Sequence, residues 1–443
     1  MRPVCDLDNI EVANVFGVKK EMVLSYIERE QVDQKFKRAL KTDNHIVVYG
    51  ASKQGKSTLR RKHVSMDEEV LIQCVPNHDI VSIYSSILRQ SGVQMETSIS
   101  EKVLSHDDSD SKAKIKAKIP LFGEVDAEFG GKEGESNERI VNYKSIEINI
   151  EIAQDIGEVL NGISFNKFIV LENFHYLDDE IQKRLAFDLR TFQDMGVRVI
   201  ILGIWRERNR LNQFNGDLID RIIEIPVEPW EDKDFDLVID KGCKLLNISF
   251  SDSIKNNIKN YSFGNIGIVQ ELCKELCFAY GVLLKKPLHE NFYDEKYLQK
   301  AIQIKVEDYT SRHERALESI ADASRHYESG LFLPYYIVKI IVLSDVLELK
   351  SGIKRPILHN KIKEVHHEPD RVRAGDMTNL LHGLSKLQSK KSIIPPLFDY
   401  DRSDKRLKVI DSTLLFFLKF SDVNDVLEEI PNPVDDSAQA ELF

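Results

Sequence analysis

At 443 residues, with 42% hydrophobic and 30% charged side chains, the chain is too long for one ordinary core and balanced enough in composition to bury two or three. A formal net charge of −11 excludes a protein that coats nucleic acid indiscriminately. The opening MRPVCDLDNIEV has no continuous apolar run, and LPYYIVKIIVLSDVLEL is broken by Lys339 and Asp345 and is too short to span a bilayer, so no membrane association is expected.

The five cysteines, Cys5, Cys74, Cys243, Cys273 and Cys277, show no CxxC spacing, and a reduced, cytoplasmic compartment is the expectation. Cys273 and Cys277 lie one helical turn apart beside Leu272 and Leu276 and read as core thiols rather than metal ligands.

After a lead segment over residues 1–40, five short β-rich runs alternate with helical patterns: HIVVY (45–49), VLIQCV (70–75), KFIVL (167–171), VRVIILG (197–203) and RIIEIPV (221–227). Continuous apolar runs between helices are the mark of parallel strands buried on both faces, so residues 41–231 are expected to form a three-layer α/β core. The helix before the third run is expected to carry Ile146, Ile150, Ile156 and Leu160, and the one after it Ile181, Leu185, Leu189 and Phe192. An insertion over about 97–140 contains KAKIKAKIPLFGEVDAEFGG. It reads as a hairpin with Lys112, Lys114, Lys116 and Lys118 facing Glu124, Asp126 and Glu128, serving as a solvated arm or a partner-binding arm.

From Trp230 the pattern turns helical over 232–247, 252–262 and 266–282, giving a lid at 232–290. A helix from about 293 then opens a unit reaching 423. There, ILHNKIKEV and MTNLLHGLSKLQSKK have helical spacing, and IIPPLFDYDRSDKRLKVID reads as two strands around a polar turn. Helices followed by a basic hairpin suggest an α+β winged-helix domain. Residues 424–443 contain no base and are expected to be a loose acidic tail. Between 351 and 410 there are thirteen Lys and Arg against seven Asp and Glu, a local +6 where any nucleic-acid contact is to be sought.

The most specific motif is HIVVYGASKQGKSTL. Gly50, Ala51, Ser52, Lys53, Gln54, Gly55, Lys56 and Ser57 fit GxxxxGK[ST] between a β-run and a helical pattern, and with the adjacent Thr58 they are the expected nucleotide-binding residues. Its glycines let successive N–H groups turn inward around phosphates, and the following helix points its positive end at the same charge. Lys56 is expected to reach the β- and γ-phosphates, with the Ser57 hydroxyl on Mg²⁺. In KFIVLENFHYL, four apolar residues end in Glu172, a carboxylate placed to hold Mg²⁺ through water. The following Asn173 is an amide, which cannot accept a proton at neutral pH.

Together with Tyr26 and Arg29 ahead of the loop, the strand VRVIILG, the arginine of DLIDRIIEI and the GNIG turn, these motifs resemble the AAA+ superfamily of P-loop ATPases. The chain is most similar to its origin-recognition-like and STAND-type branch over about residues 20–420. The resemblance implies an AAA+-like ATPase core, helical lid and winged helix that use ATP and Mg²⁺. It places Tyr26 and Arg29 near the adenine, Arg206 as a sensor arginine, and Arg221 as an arginine offered to a neighbour's γ-phosphate. Gly267 stands where many such lids carry a sensor arginine, and Asn173 where many carry a second acid, so low basal turnover is expected.

Two functions compete. One is an ATP-driven switch that forms homo-oligomers and engages double-stranded DNA, in mobile-element handling or bacterial defence; the other is a STAND-type regulatory scaffold whose partner is a protein effector. A metabolic kinase lacks an acceptor-site constellation.

Overall fold

The computed structural model describes residues 9–96, 114–120, 143–323 and 330–434. Its centre is a five-stranded parallel sheet in the order Glu69–Gln73, Phe168–Glu172, Arg198–Ile204, His45–Gly50, Ile222–Pro226. Alternate side chains of a strand point to opposite faces, and the sequence uses both. Val47, Tyr49, Ile169, Leu171, Val199 and Ile201 face one apolar layer, built with Ile83, Ile87, Ile156, Leu160, Leu185 and Leu189. Ile46, Val48, Val170, Ile200, Leu202 and Ile225 face the other, built with Phe36, Ala39 and Leu59. The helices Ile80–Gln90, Ala153–Gly162 and Asp179–Asp194 therefore cover one side, and Glu30–Ala39 and Lys56–His63 the other. This is a three-layer α/β core.

Topology decides where its site lies. The strand His45–Gly50 is flanked by the two strands of this sheet that come last in sequence, Val48 standing opposite both Leu202 and Ile225. The loops leaving these three strands consequently emerge side by side at the carboxyl edge of the sheet, where such folds bind ligands.

The helices Asp232–Leu246, Asp252–Tyr261 and Ile266–Ala279 form the lid, and Glu295–Asp322 leads out of it. One hydrophobic cluster runs from Val12 and Phe16 through Leu272 and Cys273 of the lid to Leu317, Ile337 and Phe416. Cys243, Cys273 and Cys277 are buried in it as free thiols. The C-terminal unit runs Leu333–Leu343, the short strand Ile353–Lys354, Arg355–Val365, Ala374–Lys390, then the strands Phe398–Asp401 and Arg406–Val409. The three strands pair antiparallel with Arg406–Val409 in the middle. Gln388, fully buried, fastens hairpin to helix: its carbonyl oxygen accepts from the N–H groups of Leu397 (2.7 Å) and Phe398 (3.1 Å), and its amide donates to Phe398 O at 2.9 Å.

Three expectations are corrected. Ile146 and Ile150 belong to no helix; Ile146 lies in the strand Tyr143–Asn149, which pairs antiparallel with Lys114–Pro120, Ile150 in the turn after it, and the helix begins only at Ala153. The alternation Ile146, Ile148 carries a period of two that the longer helical pattern masked. Lys116 stands opposite Glu147, while the expected facing strand with Glu124, Asp126 and Glu128 lies outside the described residues. Residues 424–430 are not loose: Val423–Glu428 is a helix capped by Asp422, with Val426 and Ile430 buried in the core. Finally, much of the local positive charge is consumed internally. Lys391 pairs with Asp322, Lys361 with Glu348, and Lys408 with Asp401 and Asp404, while Arg406 donates to the Gly352 carbonyl. Among the described residues no helix is long and apolar enough to cross a membrane.

Candidate functional site

Gly50 ends its strand at φ +151°, and a Cβ there would lie 2.7 Å from Val227 Cγ2 on the neighbouring strand end, so the loop can turn only on a glycine. From Ser52 to Thr58 it lines a cavity of about 490 Å³, shared with Tyr26, Arg29, Glu172, Asn173, Trp230 and Gly267. The helix Lys56–His63 begins at its floor with its N–H groups unsatisfied by helix geometry.

Lys56 donates to the carbonyls of Gly50 (3.0 Å) and Ala51 (2.6 Å). Burial pulls its pKa down to about 8, against the opposing pull of Glu228 and Glu172. A charge so poorly solvated gains by meeting an anion. The Ser57 hydroxyl donates to Glu172 Oε1. Glu172 is buried at the tip of its strand, and Gln73 donates to its other oxygen at 3.0 Å. A hydroxyl and a carboxylate brought together at the edge of the cavity are the hard oxygen donors that Mg²⁺ takes, so these residues fit the ion. Asn173 points its amide at Gln73 Oε1, 3.1 Å away.

Tyr26 and Arg29 form the far wall. Tyr26 donates to Asp33 at 2.6 Å; Arg29 donates to Val227 O at 2.9 Å and lies 3.8 Å over the Trp230 ring. Arg206 lies just outside this cavity, paired with Glu228 at 3.0 Å and facing a neighbouring cleft. Arg221 is not part of the site. It precedes a strand whose start, Ile222, is in register with His45, at the opposite end of the sheet from the loop, and it is held by Gln193 (3.0 Å) and Asp194 (2.7 Å).

Three residues of the site, Gln73, Arg60 and Glu228, were not singled out from sequence. Gln73 stands in register with Glu172, which an acid at the end of the adjacent apolar run could have signalled. Arg60, one turn along the helix, reaches Glu69 and lies 3.6 Å from Glu172. Gln54 and Glu228 join each other at 3.0 Å, and Glu228 also accepts the Ala51 N–H at 2.6 Å. Only the folded sheet brings residues 51 and 228 together.

The loop is gripped from outside as well. Gly267 N–H donates to Lys53 O (3.1 Å), Asn265 donates to Ser52 O (2.9 Å), and Ser52 N–H donates to Ile410 O of the C-terminal unit (3.1 Å). A Cβ on Gly267 would lie 2.6 Å from Lys53 Cβ and 2.9 Å from Lys53 O. Gly267 is therefore a point of backbone contact between lid and loop. Gly267→Ala should prise this contact apart at a cost of about 1–3 kcal/mol, seen as roughly tenfold or faster amide exchange at residues 264–268 and at Ser52. Unchanged protection there would show that the lid does not depend on this approach.

No family model matches the chain, and no curated protein matches it. Among solved structures it is similar to the Walker-type ATPase PABY2304 of Pyrococcus abyssi, at 13% identity over 89% of this chain and 96% of that one, with a TM-score of 0.48. It is similar to Cdc6p of Pyrobaculum aerophilum at 12% identity, covering 95% and 99% of the two chains, with a TM-score of 0.39. With the Aeropyrum pernix ORC1 protein, solved in complex with DNA, it shares 10% identity over 99% and 100% of the chains at a TM-score of 0.38. Likeness this remote leaves the chemistry resting on the geometry of the chain itself.

Proposed function

We propose that the chain is an ATP-binding, slowly hydrolysing AAA+-like switch that assembles with copies of itself and engages double-stranded DNA through its C-terminal winged helix. The observation that carries the nucleotide reading is the convergence of Lys56, Ser57 and Glu172 on one cavity roofed by the lid. Mg²⁺ bound there would neutralise charge developing on the phosphate oxygens. Lys56 would trade two backbone carbonyls for phosphate, and Ser57 with Glu172 would hold the ion. Asn173, already donating to Gln73, supplies no base, which supports slow basal turnover. Buried free thiols are in keeping with a reduced cytoplasmic setting. A role in mobile-element handling or defence follows from the family resemblance alone.

For DNA, the support is the element order of the C-terminal unit and the exposed Lys354, Lys386, Lys390 and Lys405. One observation favours the second reading, a scaffold with a protein partner. The hairpin is docked on the ATPase core, where Arg402 N–H donates to Glu207 at 3.2 Å and Arg210 lies 3.5 Å from Asp399. Leu381, His382 and Ser385 of the helix Ala374–Lys390 line that same junction.

Calorimetric titration should show ATP binding by the wild type and its severe loss in folded Lys56→Ala, with wild-type turnover below about 10 per second; equal affinities would remove the P-loop assignment. Arg221→Ala should keep nucleotide binding and lose ATP-dependent assembly or hydrolysis, measured by light scattering and phosphate release. If that mutant assembles and turns over normally, Arg221 serves only its contacts to Gln193 and Asp194. Since Lys391 and Arg406 are engaged internally, the DNA test belongs to Lys386→Glu, Lys390→Glu and Lys405→Glu combined. In fluorescence anisotropy with a duplex and ATP, this triple mutant should flatten the slope of log affinity against log salt by about 2 to 3. Absence of salt-sensitive binding by the wild type, or an unaltered slope, would decide for the protein-scaffold reading.

A further inference from the structure

Three neighbouring strands end together at the loop, and two of them send a polar group to a carboxylate that follows the third. Beyond His45–Gly50, Ala51 N–H donates to Glu228 Oε2 at 2.6 Å. Beyond Arg198–Ile204, the Arg206 guanidinium donates to Glu228 Oε1 at 3.0 Å. Glu228 itself follows Ile222–Pro226, and the loop's Gln54 adds a third bond at 3.0 Å. Arg206 and Glu228 keep only 18% and 19% of their side-chain surface exposed, so this is a half-buried, shared pair rather than a surface contact.

The pair has a direction. Ile204 lines the nucleotide cavity, but Arg206, two residues on, lines the adjoining cleft of about 620 Å³ in company with Glu228. The arginine is still near enough for its charge to weigh on the Lys56 ammonium. We propose that Glu228 is a positioning residue that holds Arg206 out of the nucleotide cavity and yields it to the γ-phosphate of a bound triphosphate, so that the pair sets the preference for ATP over ADP. This rests on the reading of the cavity as a nucleotide site.

Both halves of the exchange are chemically balanced without proton transfer. Glu228 would keep the Ala51 N–H and the Gln54 amide when the guanidinium leaves, so its carboxylate is not stranded. Arg206 would exchange one carboxylate oxygen, already shared with Gln54, for a more highly charged phosphate with the geometry to take its planar fork. A diphosphate ends one phosphoryl group short, offers no such competitor, and leaves the pair closed.

The experiment is calorimetric titration of Mg-ATP and Mg-ADP into the full chain as wild type, Glu228→Gln, Arg206→Gln and the double mutant. Glutamine at 228 retains an oxygen for the Ala51 N–H while removing the charge that retains the arginine. Glu228→Gln should raise the ratio of ATP to ADP affinity by roughly fivefold or more, the lower range of measured coupling between sites. Arg206→Gln should lower that ratio, and adding Glu228→Gln to it should change nothing further. The proposal is overturned if Glu228→Gln leaves the ratio unaltered, or if its effect persists without the arginine. Failure of folded wild type to bind either nucleotide is a separate outcome that removes the nucleotide reading, and this proposal with it.

Discussion

A phosphate-binding loop is backbone turned inward, and its remaining polar groups cannot be buried without partners; the rest of the structure depends on how that demand is met. Here the partners come from three directions. The lid supplies Gly267 N–H and the Asn265 amide to the carbonyls of Lys53 and Ser52, the C-terminal unit supplies Ile410 O to the Ser52 N–H, and Glu228 takes the N–H of Ala51. Each bond satisfies a group whose isolation would cost about 1–3 kcal/mol, and each ties the loop to a different part of the chain. The loop of the candidate site and the domain arrangement thus share one set of atoms.

The same junction is where buried charge is concentrated. Lys53 is half-buried with its ammonium 5.0 Å above the Tyr309 ring, and Lys305 stands 5.1 Å from that ring. Burial lowers the pKa of Lys53, opposed by the nearby carboxylates of Asp411 and Glu271. Burial also works against the Asp411 carboxyl, yet Arg312, 2.6 Å away, and His313 hold it below its ordinary value. Because Asp411 directly follows Ile410, the residue that grips the loop, its pairing with Arg312 fixes the grip to the long helix Glu295–Asp322.

What could be read in advance was what is written locally. The glycine spacing, the strand before it and Glu172 at the end of an apolar run all declare themselves within a dozen residues, because a strand, a turn and a helix start are short-range structures. Arg206 was legible as a cation beyond a strand, but its partner was not, since residues 206 and 228 meet only after two strands align on either side of His45–Gly50. Gly267 read as a missing arginine, whereas the structure gives it a positive role as the point where two backbones touch. The local +6 read as a patch because a count ignores pairing. Lys391 finds Asp322, 69 residues away in the chain, and Lys408 folds onto its own hairpin.

The segment after the strand Arg198–Ile204 touches both the loop and the C-terminal unit. Within five residues it carries Arg206, which faces Glu228 beside the loop, and Glu207 and Arg210, which hold the hairpin of the C-terminal unit through Arg402 N–H and Asp399. Trp205, which directly precedes them, is fully buried, stacked on Tyr49 at 6.0 Å and covered by Arg210 at 5.4 Å, a fixed pivot at the start of the segment. If Arg206 turns toward a γ-phosphate about that pivot, Glu207 and Arg210 lie on the short lever beyond it. The hairpin's hold on the core is then the contact most directly loaded by the change. On that proposal no long pathway is needed between nucleotide and C-terminal unit: adjacent side chains of one strand end would meet both.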